Sequence, residues 1–136
     1  QSIGSKMISN YISGADAILL CYDITNYDSF CNLEDWYRIV MQTFEGQTLP
    51  CCALVANKTD LENKRQVSTK EGELLAQEFG NIPFIECSAL TGDNCQQVFY
   101  NAVREIRILD AEKAKQNKNS NNQSNSKGLF SWCSLL

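Results

Sequence analysis

Three short apolar runs, each followed by a polar turn and a helical pattern, constrain the fold of this chain most strongly. The runs cover residues 17–22, 51–56 and 82–87. Unbroken apolar runs are typical of strands that are covered on both faces, and their alternation with helices favours a parallel sheet. We therefore predict an α/β fold in which helices flank a parallel sheet.

The helical pattern after each run has apolar residues three and four positions apart. After the first run, the expected inward face is Phe30, Leu33, Tyr37, Val40, Met41 and Phe44. After the second run it is Leu74, Leu75 and Phe79, with Ser68 and Glu71 spaced as a capping box and Gly80 at the C-terminal cap. After the third run it is Val98, Phe99, Ala102, Val103 and Ile106.

The loops that follow the strands are expected to lie together. Right-handed crossovers place the carboxyl ends of parallel strands at one edge of the sheet, where open α/β folds bind their ligands. Residues 57–60 follow the second run and residues 88–93 follow the third. The topology therefore predicts that these two loops are neighbours, although a whole crossover separates them in sequence.

The polar residues after the second run suit a ligand with adjacent N–H donors on one edge. A carboxylate such as that of Asp60 can accept from two such donors at once, which is a strong charge-assisted arrangement. Guanine presents its ring N1–H and exocyclic amine in this geometry, whereas adenine would turn a lone pair toward the carboxylate. Asn57 is expected to bond the other edge of the base and tie the loops together. The Lys58 stem is expected to lie along the ring, and a backbone N–H near Ala89 to donate to the guanine carbonyl oxygen.

A simpler interpretation is that residues 57–60 form a capped turn with an exposed lysine. Short motifs recur by chance, so an isolated N-K-x-D would leave the two interpretations balanced. Here the motif directly follows one apolar run, and Ser88, Ala89 and Leu90 directly follow the next. The joint placement favours guanine recognition.

These segments resemble a known family. Residues 57–60 (Asn-Lys-Thr-Asp) and 87–90 (Cys-Ser-Ala-Leu) resemble the two guanine-base motifs of Ras-like small GTPases. Residues 19–37, LLCYDITNYDSFCNLEDWY, resemble the Rab family, and residues 1–7, QSIGSKM, resemble the Rab twenty-eight subfamily. The resemblance implies that residues 1–109 are the C-terminal part of a Ras-like P-loop GTPase domain that binds GTP and GDP. The guanine-binding residues that it implies are Asn57, Lys58, Asp60, Ser88, Ala89 and Leu90.

The family's phosphate-binding half has no counterpart in this sequence. No G-x-x-x-x-G-K-[ST] occurs in the 136 residues. In the family, the phosphate loop, the switch threonine and the Asp-x-x-Gly magnesium motif all precede the position of Gln1. We therefore expect an N-terminally truncated GTPase with no metal site in this chain, so that Mg²⁺ binds only in the complete protein. Gln1 aligns with the family's water-orienting glutamine, which is the catalytic role that the resemblance implies for it.

The end of the sequence predicts a lipid-modified tail. From about Asp110 the apolar pattern stops, so residues 110–136 are expected to be a flexible hypervariable tail. The last four residues, beginning with Cys133, match the C-a-a-X prenylation pattern, and a final Leu favours geranylgeranyl over farnesyl. A terminal cysteine without a role is the simpler alternative. Because one lipid chain binds membranes only marginally, we expect a cytoplasmic protein that associates with membranes reversibly.

Composition excludes some functions. A net charge of −4 disfavours a nucleic-acid binder, which needs a basic face for phosphates. The seven cysteines lack C-x-x-C metal spacing and the chain has no His, so we expect reduced thiols of a cytosolic protein.

The function that the resemblance implies is a Rab-type molecular switch, in which GTP binding and slow hydrolysis regulate membrane trafficking. It implies a monomer whose partners are exchange factors, GTPase-activating proteins, effectors and a prenyl-binding carrier. One alternative is a Rho-type GTPase, although the link over residues 61–67 is too short for the Rho insert. Another is a non-catalytic half-domain that acts as an interaction module.

Overall fold

The computed structural model describes residues 3–119 of the 136-residue chain. Its elements, in chain order, are α1 (Ile3–Ile12), β1 (Ala17–Asp23), α2 (Tyr27–Cys31), α3 (Leu33–Thr43), β2 (Cys51–Asn57), a 3₁₀ helix (Thr59–Lys64), α4 (Thr69–Glu78), β3 (Phe84–Glu86) and α5 (Cys95–Asn119). Within this part of the chain, none of the helices is both long enough and apolar enough to cross a bilayer.

The three predicted strands form one parallel sheet in the order β1-β2-β3. Ala17 pairs with Cys51 at the start of β1, and Leu54 pairs with Phe84 where β3 joins the sheet. Each of the first two strands runs one residue further than the apolar run predicted, so β1 ends at Asp23 and β2 at Asn57. The parallel sheet confirms the predicted α/β class. It also brings the polar carboxyl ends of β1 and β2 to the same edge of the sheet.

Alternate residues of the strands build two cores, one on each face of the sheet. On the first face, Leu20 and Tyr22 of β1 pack with Leu54 of β2 and with residues of α3 and α4. On the second face, Val55 and Cys87 pack with Val98 of α5. Successive strand side chains point to opposite faces, so an apolar run supplies both cores at once.

Helix α4 begins as predicted. The Ser68 side chain accepts a hydrogen bond from the Glu71 N–H, and the Glu71 carboxylate accepts one from the Ser68 N–H, which completes the capping box. The buried stripe of this helix includes Leu75 and Ala76. The expectation that Leu74 faces inward is wrong, because its side chain is 46% exposed.

Two helices differ from the sequence prediction. The sequence did not indicate α1. This helix packs on α3, and Thr43 Oγ1 donates to Ser9 Oγ at 2.9 Å.

Helix α5 continues to Asn119, ten positions into the stretch expected to be a flexible tail. That stretch is rich in Ala, Glu, Lys and Gln, which favour helix without an apolar face. On α5, Phe99 and Val103 are exposed, so the buried stripe is narrower than the apolar spacing suggested.

Candidate functional site

The two predicted loops do lie side by side at the carboxyl edge of the sheet. Asn57 ends β2, and beyond β3 the Cys87 N–H donates to the Ala56 carbonyl at 2.7 Å. The Thr59 N–H then donates to the Cys87 carbonyl at 3.2 Å. Backbone bonds therefore continue from the sheet into the loops and fix residues 57–60 against the start of the 88–94 loop.

Asn57 fastens these two loops through a single oxygen atom. Its Oδ1 accepts from the Lys58 N–H at 2.8 Å and from the Ala89 N–H at 3.0 Å. One bond is local and the other crosses between loops, so the side chain acts as the tie that the sequence predicted. In this arrangement the Ala89 N–H is engaged by Asn57 and does not itself face a ligand.

Asp60 is held by Ser88. The Ser88 hydroxyl donates to Asp60 Oδ1 at 2.5 Å, and it accepts from the Thr91 N–H at 3.1 Å. Ser88 is fully buried, whereas Asp60 is exposed. The Ser88 hydroxyl therefore holds one oxygen of the Asp60 carboxylate, and the carboxylate remains exposed to solvent. Such a carboxylate can accept hydrogen bonds from an incoming ligand.

The 88–94 loop is a closed turn. The Ser88 N–H donates to the Asp93 carbonyl at 3.0 Å, and the Gly92 N–H donates back to the Ser88 carbonyl at 2.8 Å. Gly92 has φ +83°, a conformation that glycine adopts without strain. The turn projects Leu90 outward, with 83% of its surface exposed.

Lys58 forms an ion pair with the end of β1. It has left-handed backbone angles (φ 70°, ψ 35°), and its Nζ lies 2.7 Å from Asp23 Oδ2 at the end of β1. Asp23 also accepts from the N–H and hydroxyl of Thr25, at 2.8 and 2.6 Å. Partial burial alone would raise the pKa of Asp23, but the hydrogen bonds from Lys58 and Thr25 outweigh it and lower the pKa. The lysine head is thus directed toward β1.

A second ion pair supports the loops from behind. Arg65 Nη1 contacts Glu86 Oε1 at 2.8 Å and also donates to the Val67 carbonyl at 3.0 Å. The same Glu86 oxygen accepts from the Thr69 hydroxyl at 2.9 Å, and Arg65 also pairs with Glu62. These bonds connect the 3₁₀ helix and the start of α4 to the end of β3, directly before Cys87.

The structure therefore brings together all six residues predicted to bind a base. Gln1 and Cys133, predicted for water positioning and lipidation, lie outside the described residues. Sequence reasoning missed Asp23, Arg65 and Glu86. A signal existed for Asp23, because it ends β1 as Asn57 ends β2, and the two are partners in the sheet register.

Comparison with known proteins identifies the family. The family model described as Ras family matches residues 3–108. The chain belongs to the Ras family. Its parallel sheet flanked by helices is the Ras-like fold that the sequence resemblance implied.

The similar Ras-family proteins include several Rab proteins. The chain is 39% identical over 113 residues to the GTP-binding protein ypt2 of Schizosaccharomyces pombe, which covers 82% of the chain and 55% of that protein. It is 36% identical over 116 residues to the Ras-related protein Rab-28 of Caenorhabditis elegans, and the match covers 85% of the chain and 46% of that protein. It is 37% identical over 107 residues to the Ras-related protein Rab-8A of Bos taurus, and the match covers 79% of the chain and 50% of that protein.

These matches support a Rab-type small GTPase and do not favour the Rho alternative. Identities of similar size to several Rab proteins do not single out the Rab-28 subfamily. The chain spans about half the length of the curated relatives it matches.

Proposed function

We propose that the loops 57–60 and 88–90 bind the guanine base of GTP and GDP in the full-length protein. The observation that carries this proposal is the Asp60 carboxylate, fixed by the buried Ser88 hydroxyl at 2.5 Å and still exposed. Guanine N1–H and its exocyclic amine would donate to this carboxylate. Ser88 would act through Asp60, because its hydroxyl is fully buried.

The other residues would complete the pocket. Asn57 would hold the two loops at the spacing of the base and offer its amide N–H₂ to the base edge, since its oxygen is already engaged. The Lys58 stem would cover one face of the ring while Asp23 holds its head. Because the Ala89 N–H is engaged by Asn57, the exposed residue after it, Leu90, would offer its backbone N–H to the guanine carbonyl oxygen and its side chain as apolar cover for the ring.

For the full-length protein we propose a Rab-type switch of the Rab-28 kind. Phosphates and Mg²⁺ would be bound by parts of the protein beyond the described residues, and Gln1 would orient the attacking water during slow GTP hydrolysis. Exchange factors, GTPase-activating proteins and effectors would be its partners in membrane trafficking, with the protein itself a monomer. Prenylation of Cys133 would attach the protein to membranes. Because a single lipid chain binds only weakly, a prenyl-binding carrier would be able to remove the protein again. Residues 1–109 would belong to the GTPase domain, and the chain beyond them would link it to the lipid.

The base assignment can be tested by changing the hydrogen-bonding pattern at Asp60. Xanthine carries a carbonyl where guanine has its exocyclic amine, so it turns an acceptor toward position 60. The wild-type full-length protein should bind GDP far more tightly than xanthosine diphosphate (XDP). In Asp60→Asn the amide N–H can donate to that carbonyl, so this preference should reverse. Competition against a fluorescent guanine nucleotide measures both affinities.

Asp93→Asn is the matched control, because it removes the same charge from the neighbouring loop and leaves the Asp60–Ser88 bond in place. It should retain the GDP preference. Unchanged GDP and XDP affinities in Asp60→Asn would refute the proposed base contact. Failure of the folded wild-type protein to bind any guanine nucleotide would instead favour the interaction-module alternative.

A further inference from the structure

Four cationic side chains lie along one face of α5. Arg104, Arg107, Lys115 and Lys118 are all exposed, and all belong to the continuous helix Cys95–Asn119. Arg104 and Lys115 are eleven residues apart, as are Arg107 and Lys118, and this spacing is about three helical turns. The four residues, which we call the basic stripe, therefore form two adjacent columns over roughly 20 Å of the helix.

The basic stripe is not neutralised by neighbouring carboxylates. Within residues 3–119, which the structure describes, none of its four cations forms an ion pair. Between its two ends, Ile108 and Ala111 are exposed and uncharged. The acidic residues of α5 lie about a quarter turn or more from the middle of the stripe; they are Glu105, Asp110 and Glu112. The stripe therefore presents positive charge alone to the solvent.

This positive face contrasts with the rest of the protein. Residues 1–94 contain 13 acidic and six basic side chains, whereas residues 95–119 contain three acidic and five basic ones. The cations are spread along an exposed helix and do not line a cleft. An extended anionic surface suits this arrangement better than a small anion, because it can face all four cations at once.

The basic stripe lies far from the guanine loops. Helix α5 begins directly after the 88–94 loop and runs toward the opposite edge of the sheet. There, Lys113 lines a crevice with Asp16 and Leu49, residues that precede β1 and β2. A surface that contacts the C-terminal part of α5 would therefore leave the loops 57–60 and 88–94 open.

We propose that the basic stripe lies against the anionic headgroups of a membrane and acts as a second membrane signal beside a lipid on Cys133. The choice of a membrane rests on the proposed lipidation of that cysteine. Cys133 lies fourteen residues beyond Asn119, and a chain of this length spans at most about 50 Å, so lipid and stripe can reach the same bilayer. A single lipid chain binds marginally, and cations near an anionic leaflet supply the further attraction.

Vesicle binding tests the stripe without the lipid. Full-length protein produced without prenylation is sedimented with phosphatidylcholine vesicles that either contain or lack phosphatidylserine. We expect binding only to the phosphatidylserine vesicles, and we expect it to fall as salt is added, because exposed charges are screened. Lys115→Gln should weaken this binding by about fivefold, the contribution of one cation near an anionic surface.

Lys113→Gln is the matched control. It removes the same charge from the same helix two positions away, but on the side that meets Asp16 and Leu49. Lysine and glutamine have similar helix propensities, so both variants keep α5. The control should bind phosphatidylserine vesicles within about twofold of the wild-type protein. Equal losses in the two variants would overturn the proposed orientation, because binding would then follow net charge alone.

The remaining outcomes separate the stripe from the lipid. Binding that did not depend on phosphatidylserine would overturn the stripe as a membrane signal. Tighter binding to an RNA duplex, weakened in the same way by Lys115→Gln, would overturn the membrane as its partner. Mass spectrometry of the protein from cells tests Cys133 independently. An unmodified Cys133, with phosphatidylserine binding intact, would refute the proposed lipidation and leave the binding of the stripe to anionic lipid supported.

Discussion

The ammonium of Lys58 lies 2.7 Å from the Asp23 carboxylate, so an ion pair joins the end of β1 to the loop that follows β2. The sheet register creates this pair, because Asp23 is the ladder partner of Asn57, the residue before Lys58. The left-handed backbone of Lys58 then lets its side chain turn back toward β1. The lysine of the loop is thereby oriented by a residue that lies 35 positions earlier in the chain.

The first prediction concerns the pH dependence of stability in Asp23→Asn. Folding lowers the pKa of Asp23, so the pair's contribution is complete above the carboxyl pKa of the unfolded chain, about 3.9. The contribution is lost as the pH falls through the lower pKa of the folded state. At pH 7 the substitution should reduce the free energy of unfolding by no more than about 1 kcal/mol, because Lys58 is half exposed.

Urea denaturation of both proteins between neutral and acid pH measures this difference. The difference should shrink as the pH drops below the unfolded carboxyl pKa. Asp35→Asn is the control, since its ion pair with Arg38 is exposed on both sides and should contribute nearly nothing. A destabilisation by Asp23→Asn that stayed constant down to the lowest pH would contradict the role of the carboxylate charge.

The second prediction concerns Asn57→Ala. Removing Oδ1 leaves the N–H groups of Lys58 and Ala89 without the acceptor they share. We expect the free energy of unfolding to fall by about 1–3 kcal/mol and hydrogen exchange at Ala89 to accelerate. Asn57→Asp keeps an acceptor oxygen at the same position and should protect Ala89 better than the alanine variant. Equal exchange at Ala89 in all three proteins would show that Asn57 does not tie the loops.

The third prediction concerns the close approach of α4 to the sheet at Gly72. A Cβ built there would lie 2.5 Å from both Tyr22 Oη and Phe84 Cζ, which is closer than real atoms pack. Gly72→Ala should therefore destabilise the fold by about 1–3 kcal/mol, although alanine has the better helix propensity. Gly14→Ala has nothing within 4 Å of its Cβ and is the control. Thermal denaturation that ranked the two variants the other way round would refute the packing argument.

The fourth prediction concerns Arg65→Lys. The guanidinium reaches Glu62, Glu86 and the Val67 carbonyl at once, with its side chain only 14% exposed. A lysine cannot reproduce this fork, so we expect a loss of about 1–3 kcal/mol in the free energy of unfolding. Arg38→Lys changes an exposed arginine and should alter stability by less than about 0.5 kcal/mol. Two variants of equal stability would mean that the Arg65 network contributes little.

The sequence could predict the fold class and the meeting of the two loops, because both follow from alternation of strands and helices. It could also predict that Ser68 and Glu71 cap α4, since those bonds depend on local spacing. That Asn57 ties the loops could be predicted because the topology brings the two loops together. The Lys58–Asp23 pair could not be predicted so directly, because it depends on the register between two strands. Backbone pairing of this kind is a property of the assembled sheet.

The errors at the helices share one physical cause. Apolar spacing reports which residues can be buried, whereas helix formation also depends on propensity. The polar end of α5 is therefore helical although it has no apolar face. Earlier in the same helix, the apolar spacing predicted a wide buried stripe, but Phe99 and Val103 are exposed. Leu74 is exposed for the same reason, because α4 turns its narrower stripe of Leu75 and Ala76 toward the sheet.

The shared oxygen of Asn57 sets a rule for anyone who redesigns this protein. Because Asn57 Oδ1 serves the Lys58 and Ala89 N–H groups together, the 88–94 segment is not an independent module. A segment grafted there from another protein must return an N–H to the same point in space, whatever its length or composition. The two loops are therefore best exchanged as a single cassette, together with the amide that joins them.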